Sequence, residues 1–315
     1  MKNELYPPEG FLSRPGYTRE LCALPHDLER AREDGVIMEG KAFRCSEDHD
    51  LFVRLPGGGT GMIPYSECVS DAVKESAREI AVLSRVGKYV CFKVTDTSGA
   101  FPLLSRKAAQ EEAQEKCVAF LEPGDIIDAV VTHLEPFGAF CDIGCGIISL
   151  LPIDSMSVSR IAHPRDRFYT GQRIKAVIRN SCDGDGRVSL THKELLGTWE
   201  ENAAQFAPGQ AVTGTVRSVE KYGVFVELTP NLAGLAEYTE GVDAGDTVSV
   251  FIKSIIPQKM KVKLVIIDKA ERETPEREYD YRYTHGTLCR WTYSPAECPR
   301  VIESVFQYTK SNWIP

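Results

Sequence analysis

Three pairs of flat side chains recur along this chain: His49 with Phe52, Phe137 with Phe140, and Tyr222 with Phe225. Rings presented on the outside of a sheet stack on nucleobases of any sequence, at roughly 1–3 kcal/mol per stacked base. The ordinary alternative is that these rings are core. Around Phe140 the alternation of the strand places Ala139, Cys141 and Ile143 inward, so Phe140 is expected on the opposite, outer face. Beside the second pair stand Asp183 and Arg187, a carboxylate able to orient a cation and a cation able to reach a phosphate. The third pair has Lys259, Lys261 and Lys263, which alternate onto one face of a strand and form either a phosphate contact or a lysine-protected edge. Repeat one carries Phe101 where Arg187 stands, so its site is expected to be the weakest.

The elements that must hold these rings are repeated. Phe52 to Pro64, Phe140 to Pro152 and Phe225 to Glu237 each span 12 residues, and the three phenylalanines are 88 and 85 residues apart. A constant internal spacing in three copies marks a repeat architecture. In the second copy, alternation marks strands at Ile126 to Val131, Phe140 to Ile143, Ile147 to Leu151, Ile174 to Ile178 and Val188 to Leu190, with Asp183-Gly184-Asp185-Gly186 as a tight turn before the last. Five short strands avoid open edges by closing into a small Greek-key barrel. The expected fold is therefore mainly β: three tandem five-stranded barrels of the oligonucleotide-binding type, joined by short helices, with a small α+β extension at the C-terminus.

The expected boundaries are an extended arm over 1–29, a degenerate repeat over 30–107, repeats at 120–197 and 206–270, and an extension over 271–315. The arm holds Pro7, Pro8, Pro15 and Pro25, with one short helix starting at Thr18. Repeat one carries a helical insert from Asp71 to Ser84. The joins, Lys107 to Lys116 and Lys193 to Phe206, read as helices, which act as semi-rigid spacers. The tail is expected to form a hairpin with a terminal helix near Val301 to Phe306, its aromatic residues packing on repeat three.

Of the net charge of -8, all but -1 is carried outside the repeats. Residues 30–107 hold 12 basic and 11 acidic side chains, 122–195 hold 8 and 10, and 208–270 hold 7 and 7. Near-neutral barrels cannot bind through bulk phosphate attraction, so stacking with a few placed cations is expected, with modest affinity and a preference for single strands. If a basic groove exists instead, its contributors are Arg160, Arg165, Arg167, Arg173, Lys175 and Arg179 between strands three and four of repeat two. The ten cysteines are scattered singly among apolar neighbours, which suits reduced, buried thiols. Cys141, Cys145 and His133 could form a zinc set, but thiols of strands and turns are the simpler reading, and no metal or cofactor is expected. The N-terminus lacks the apolar region of a secretory signal, and no apolar run is long enough to span a bilayer. No nucleophile motif, paired-carboxylate cluster or phosphate loop suggests an enzyme.

The run Phe137-Gly138-Ala139-Phe140, the closing Arg187-Val188-Ser189-Leu190-Thr191-His192-Lys193 and the opening Gly124 resemble the S1 RNA-binding motif. The resemblance extends over the three repeats and is strongest in the second and third. It implies barrels that hold single-stranded RNA on their second and third strands, with RNA contacts at Phe137, Phe140, Asp183 and Arg187 and at Tyr222, Phe225 and Lys261. The chain departs from the family pattern at Pro64, Pro152 and Glu237, where a histidine is frequent, and at Pro257, which replaces the aspartate. Tandem repeats of this kind resemble the ribosomal-protein-S1-type proteins of Gram-positive bacteria. The partners so implied are single-stranded RNA or mRNA and the small ribosomal subunit, for a cytoplasmic monomer that does not engage membranes. A second reading stays open, in which the chain is a protein-docking or RNA-processing adaptor and its degenerate first repeat grips a protein.

Overall fold

The computed structural model describes residues 3–12, 25–70, 75–180, 188–271 and 279–307. It contains three closed five-stranded barrels. The first is built from β1 (Met38–Cys45), β2 (Leu51–Arg54), β3 (Thr60–Ile63), β4 (Tyr89–Asp96) and β5 (Leu103–Ser105). The second uses β6 (Ile126–Glu135), β7 (Gly138–Asp142), β8 (Ile148–Pro152), β9 (Arg173–Asn180) and β10 (Ser189–Thr191). The third uses β11 (Ala211–Glu220), β12 (Gly223–Thr229), β13 (Leu232–Ala236), β14 (Thr247–Ile256) and β15 (Lys261–Lys269). In each, the first three strands form a meander, the fifth pairs in parallel with the third, and the fourth closes the circle between fifth and first. Closure leaves no free edge, which is how a sheet of such short strands escapes edge-to-edge association. The five strands read in repeat two appear as β6 to β10, with ends that differ by a few residues.

The chain forms two compact units. The first contains barrel one, the arm, and residues 128–130 and 142–149 of the second repeat. Inward residues Leu51, Val53, Ile63, Val90, Phe92 and Leu104 fill barrel one. Helix α1 (Pro25–Glu33) precedes it, α2 (Glu75–Leu83) lies within the expected insert, and α3 (Arg106–Lys116) follows it. The predicted helix start at Thr18 falls outside the described residues. Ser105 caps α3 by accepting a hydrogen bond from the Ala108 amide at 2.9 Å. The described arm is not a solvated extension. Glu9 is buried, where it binds Arg106 at 2.6 Å and Arg85 at 3.3 Å, and Asn3 donates to the Ile143 carbonyl at 3.0 Å. Arg106 and Arg85 hold the Glu9 carboxyl below the usual carboxylate range against the opposing effect of burial.

The second unit contains barrel three, the rest of the second repeat and the tail. The second join is two short pieces, a 3-10 turn over Lys193–Leu196 and helix α4 (Trp199–Ala203). Gly197 breaks them at φ 83°, a left-handed conformation that favours glycine. Thr198 and Glu201 then form a reciprocal capping box that starts α4. Trp199 is buried in the barrel-three cluster with Val216, Val226 and Leu264.

Barrels two and three are also joined directly. Arg167, 2% exposed, makes a bidentate pair with Glu227 at 2.9 and 2.5 Å, and Arg217 binds the same carboxylate at 2.9 and 2.9 Å. The Asn231 side chain accepts from the Val158 amide and donates to the Lys193 and Gly197 carbonyls, each at 2.9 Å.

The tail corrects the sequence reading in two respects. Val301 to Phe306 contains no helix: β17 (Glu303–Val305) pairs with β16 (Arg290–Thr292). The cause is period-two burial, in which Ile302, Ser304 and Phe306 are covered while Val301, Glu303 and Val305 are exposed. The tail's aromatics also divide between barrels. Trp291 and Tyr293 join the barrel-three cluster, whereas Tyr279 and Tyr281 pack on His192 and Phe306 packs on Ile126, Val177 and Leu195 of the second repeat. His192 is fully buried, with Nδ1 2.9 Å from the Met156 carbonyl and Nε2 3.1 Å from the Tyr281 hydroxyl. Burial pushes the His192 imidazole down to about 4. The unfolded imidazole takes up a proton near pH 6.5, but the folded one does so only near pH 4. Stability is therefore expected to fall between these pH values, by at most roughly 3 kcal/mol. Urea midpoints of the wild type and His192→Gln across this range check it: the variant, though less stable at neutral pH, should lack this component of the slope.

Candidate nucleic-acid interface

Phe137 and Phe140 stand on either side of Gly138, where β6 turns into β7, and Tyr222 and Phe225 stand likewise around Gly223 between β11 and β12. The glycine is required by a close approach. A Cβ on Gly138 would lie 2.7 Å from the Leu151 carbonyl oxygen, and one on Gly223 would lie 2.4 Å from that of Ala236. The backbone of the third strand thus passes directly under the aromatic corner, which brings the two rings onto the outer face of strands two and three.

Both barrels arrange their pair alike. The Phe137 and Phe140 rings lie edge to face with centroids 6.0 Å apart at 90°, and the Tyr222 and Phe225 rings do so at 6.2 Å and 88°. The first ring of each pair is largely exposed, at 55% for Phe137 and 69% for Tyr222, and the second is half-buried. Ala139 and Cys141 are fully buried, as alternation requires if Phe140 faces outward. A perpendicular pair offers one ring face to stack on and a second ring as its wall.

The register adds a residue that the sequence reading did not single out. Phe225 is opposite Leu235 on β13, and Leu235 is opposite Lys263 on β15. In barrel one the same row is Phe52, Met62 and Leu103. In barrel two Leu150 is opposite Ser189, and Leu150 follows Phe140 by ten residues, as Met62 follows Phe52 and Leu235 follows Phe225. That constant spacing was a signal available in the sequence. Each platform therefore continues onto a partly exposed aliphatic side chain of the third strand. Two residues before the end of the row stand Phe101, Arg187 and Lys261. Lys261 and Lys263 are exposed on β15. Asp183 and Arg187 lie outside the described residues.

Barrel one differs in chemistry. Phe52 is only 8% exposed, with the Arg44 guanidinium 4.1 Å from its ring centroid and the Phe101 ring edge-on at 5.7 Å. Arg44 takes the ring face that a base would need. His49 adopts φ 64° and packs on Tyr65 at 5.4 Å rather than on Phe52. Of the six basic side chains expected between strands three and four of repeat two, Arg173, Lys175 and Arg179 lie on β9 itself, and Arg167 is committed to its buried pair with Glu227 and cannot line a groove. Arg160, Arg165, Arg173 and Arg179 are exposed. Among the described residues there is no cluster of three or more metal-ligating side chains, and Cys141 and Cys145 are buried while His133 is exposed on the outer surface. Among the described residues no helix is long and apolar enough to cross a membrane.

The comparisons with known proteins meet this geometry at the middle barrel. Residues 121–193 match the family model of the S1 RNA binding domain. The chain is 34% identical to small ribosomal subunit protein bS1 of Leuconostoc lactis over 211 residues, which cover 62% of this chain and 48% of that protein. It is 31% identical to bS1 of Rhodopseudomonas palustris over 283 residues, 84% of this chain and 48% of the relative. The chain thus spans about half the length of these curated relatives. A solved multidomain protein with nucleic acid binding domains from Streptococcus pneumoniae aligns over 77% of this chain and 76% of its own, at 14% identity and a TM-score of 0.25. The middle barrel is an S1 RNA binding domain, and the chain that carries it is similar to small ribosomal subunit protein bS1 well beyond that barrel.

Proposed function

We propose that this chain is a non-catalytic, single-stranded RNA-binding protein of the cytoplasm that captures mRNA in association with the small ribosomal subunit. The observation that carries the reading is the repeated perpendicular ring pair, Phe137 with Phe140 and Tyr222 with Phe225, at one position of two barrels. The match of residues 121–193 to an RNA-binding family and the similarity to bS1 proteins support RNA as the ligand and translation as the setting. Phosphate contacts are assigned to Arg187, oriented by Asp183, in barrel two and to Lys261 in barrel three. Barrel one contributes little stacking, because Arg44 and Phe101 already cover Phe52. The protein acts as a monomer and needs no cofactor.

Titration of a fluorescent unstructured RNA, with an RNA duplex of equal length as control, tests this. The single strand should bind in preference to the duplex. With three or four cations on phosphates, log affinity should fall against log salt with a slope of about -2 to -3. Equal affinity for duplex and single strand would refute the stacking account. A slope near -7 would instead point to the exposed Arg160, Arg165, Arg173 and Arg179, on and before the fourth strand of repeat two, as the binding surface.

A further inference from the structure

We infer that His133 is a third base-stacking residue of the middle barrel, oriented for that task by Glu135; this rests on the single-strand reading above. The His133 ring lies on β6 beside the platform, its plane inclined by only 26° to that of Phe140 with centroids 6.4 Å apart. Its side chain is 64% exposed, so core packing does not account for the alignment. Nε2 is 2.6 Å from the Glu135 Oε1. A carboxylate oxygen can only accept there, so Nε2 carries the hydrogen and the ring plane is tied to the strand. A ring that is held in advance loses less rotational freedom when a base settles on it.

The three barrels distinguish this position from an incidental neighbour. In barrel one the residue of the first strand opposite the platform phenylalanine is Arg44, and its guanidinium lies over the ring. In barrel three it is Ser218, which provides no flat surface. In barrel two His133 precedes Phe140 by seven residues, as Ser218 precedes Phe225, and its ring lies nearly parallel to that of Phe140. The first-strand position therefore differentiates otherwise similar platforms: covered in the first barrel, extended in the second, unextended in the third. Barrel two should accordingly contact one more base than barrel three.

The test uses the full chain, fluorescence anisotropy with an unstructured oligouridylate, and thermal melting as a folding control. His133→Ala should weaken binding about five- to tenfold, one additional stacked base at the low end of the usual range. His133→Phe should restore most of the loss, since it keeps a flat ring and removes the ring nitrogens. Introducing a ring in barrel three, Ser218→His, should tighten binding severalfold. Unchanged affinity of His133→Ala, with Phe140→Ala clearly weakened, would overturn the inference and leave the proposed function standing. Unchanged affinity of both variants would overturn both. A loss in His133→Ala that His133→Phe does not recover would assign His133 a polar contact and overturn the stacking role.

Discussion

Replacing Phe140 and Phe225 together by alanine should weaken binding of an unstructured RNA by about 2–6 kcal/mol, if each ring holds one base. This is a loss of roughly thirtyfold at the lower bound, and of more than ten-thousandfold at the upper bound. Both rings lie outside the buried core clusters, and the inward neighbours Ala139, Cys141, Val224 and Val226 that fill the barrels are untouched. The variant should therefore keep its fold, and circular dichroism and thermal melting provide the control. The single variants apportion the effect. The two should cost about the same if each ring holds one base, since the extra base of the middle barrel is assigned to His133. A folded double variant with wild-type affinity would leave the aromatic platforms without a role in binding.

A second large effect is expected on stability. Glu227→Leu removes the carboxylate that two guanidinium groups share and leaves Arg167 charged and buried. Breaking one side of a buried pair costs about 3–5 kcal/mol, because the desolvated charge has lost its compensation. Arg217 suffers less, since it retains Asp166 at 3.6 Å. Removing both members, in Arg167→Met with Glu227→Leu, should recover a large part of that cost, as apolar replacements of buried pairs frequently do. Urea denaturation followed by tryptophan fluorescence reads this out, because Trp199 and Trp291 are buried in the adjoining barrel-three cluster. If the single and double variants were equally destabilised, the loss would reflect packing and not an orphaned charge.

The barrels were legible because their signals are local and periodic. Apolar alternation, the Gly-aromatic corner and the constant spacing from Phe52, Phe140 and Phe225 each survive in one dimension. The outward direction of Phe140 followed from the same alternation. What was not legible depends on contacts between residues distant in sequence. Arg167 looks in the sequence like a member of a basic cluster, yet its partner Glu227 is 60 residues away. His192 reads as part of a closing motif, but its environment is set by Tyr279 and Tyr281 of the tail. Phe52 aligns with the two platform phenylalanines, and only the register with Arg44 shows that its face is occupied. The error at Val301 to Phe306 arose because a short apolar segment with two valines fits either period until its partner strand is known.

The Arg167–Glu227 clamp and the Asn231 bridges also constrain how length should enter recognition. If barrels two and three swung on a free hinge, short and long oligonucleotides would differ only gradually, because the protein could shorten the gap to suit the strand. With the hinge closed, the slack must come from the nucleic acid. Oligonucleotides too short to bridge the two platforms should behave as monovalent ligands of either barrel. Above a threshold length, the second platform is met at an effective concentration set by the flexibility of the intervening nucleotides alone. Affinity plotted against chain length should then show a step instead of a slope, and loosening the clamp should blur that step without removing either binding surface.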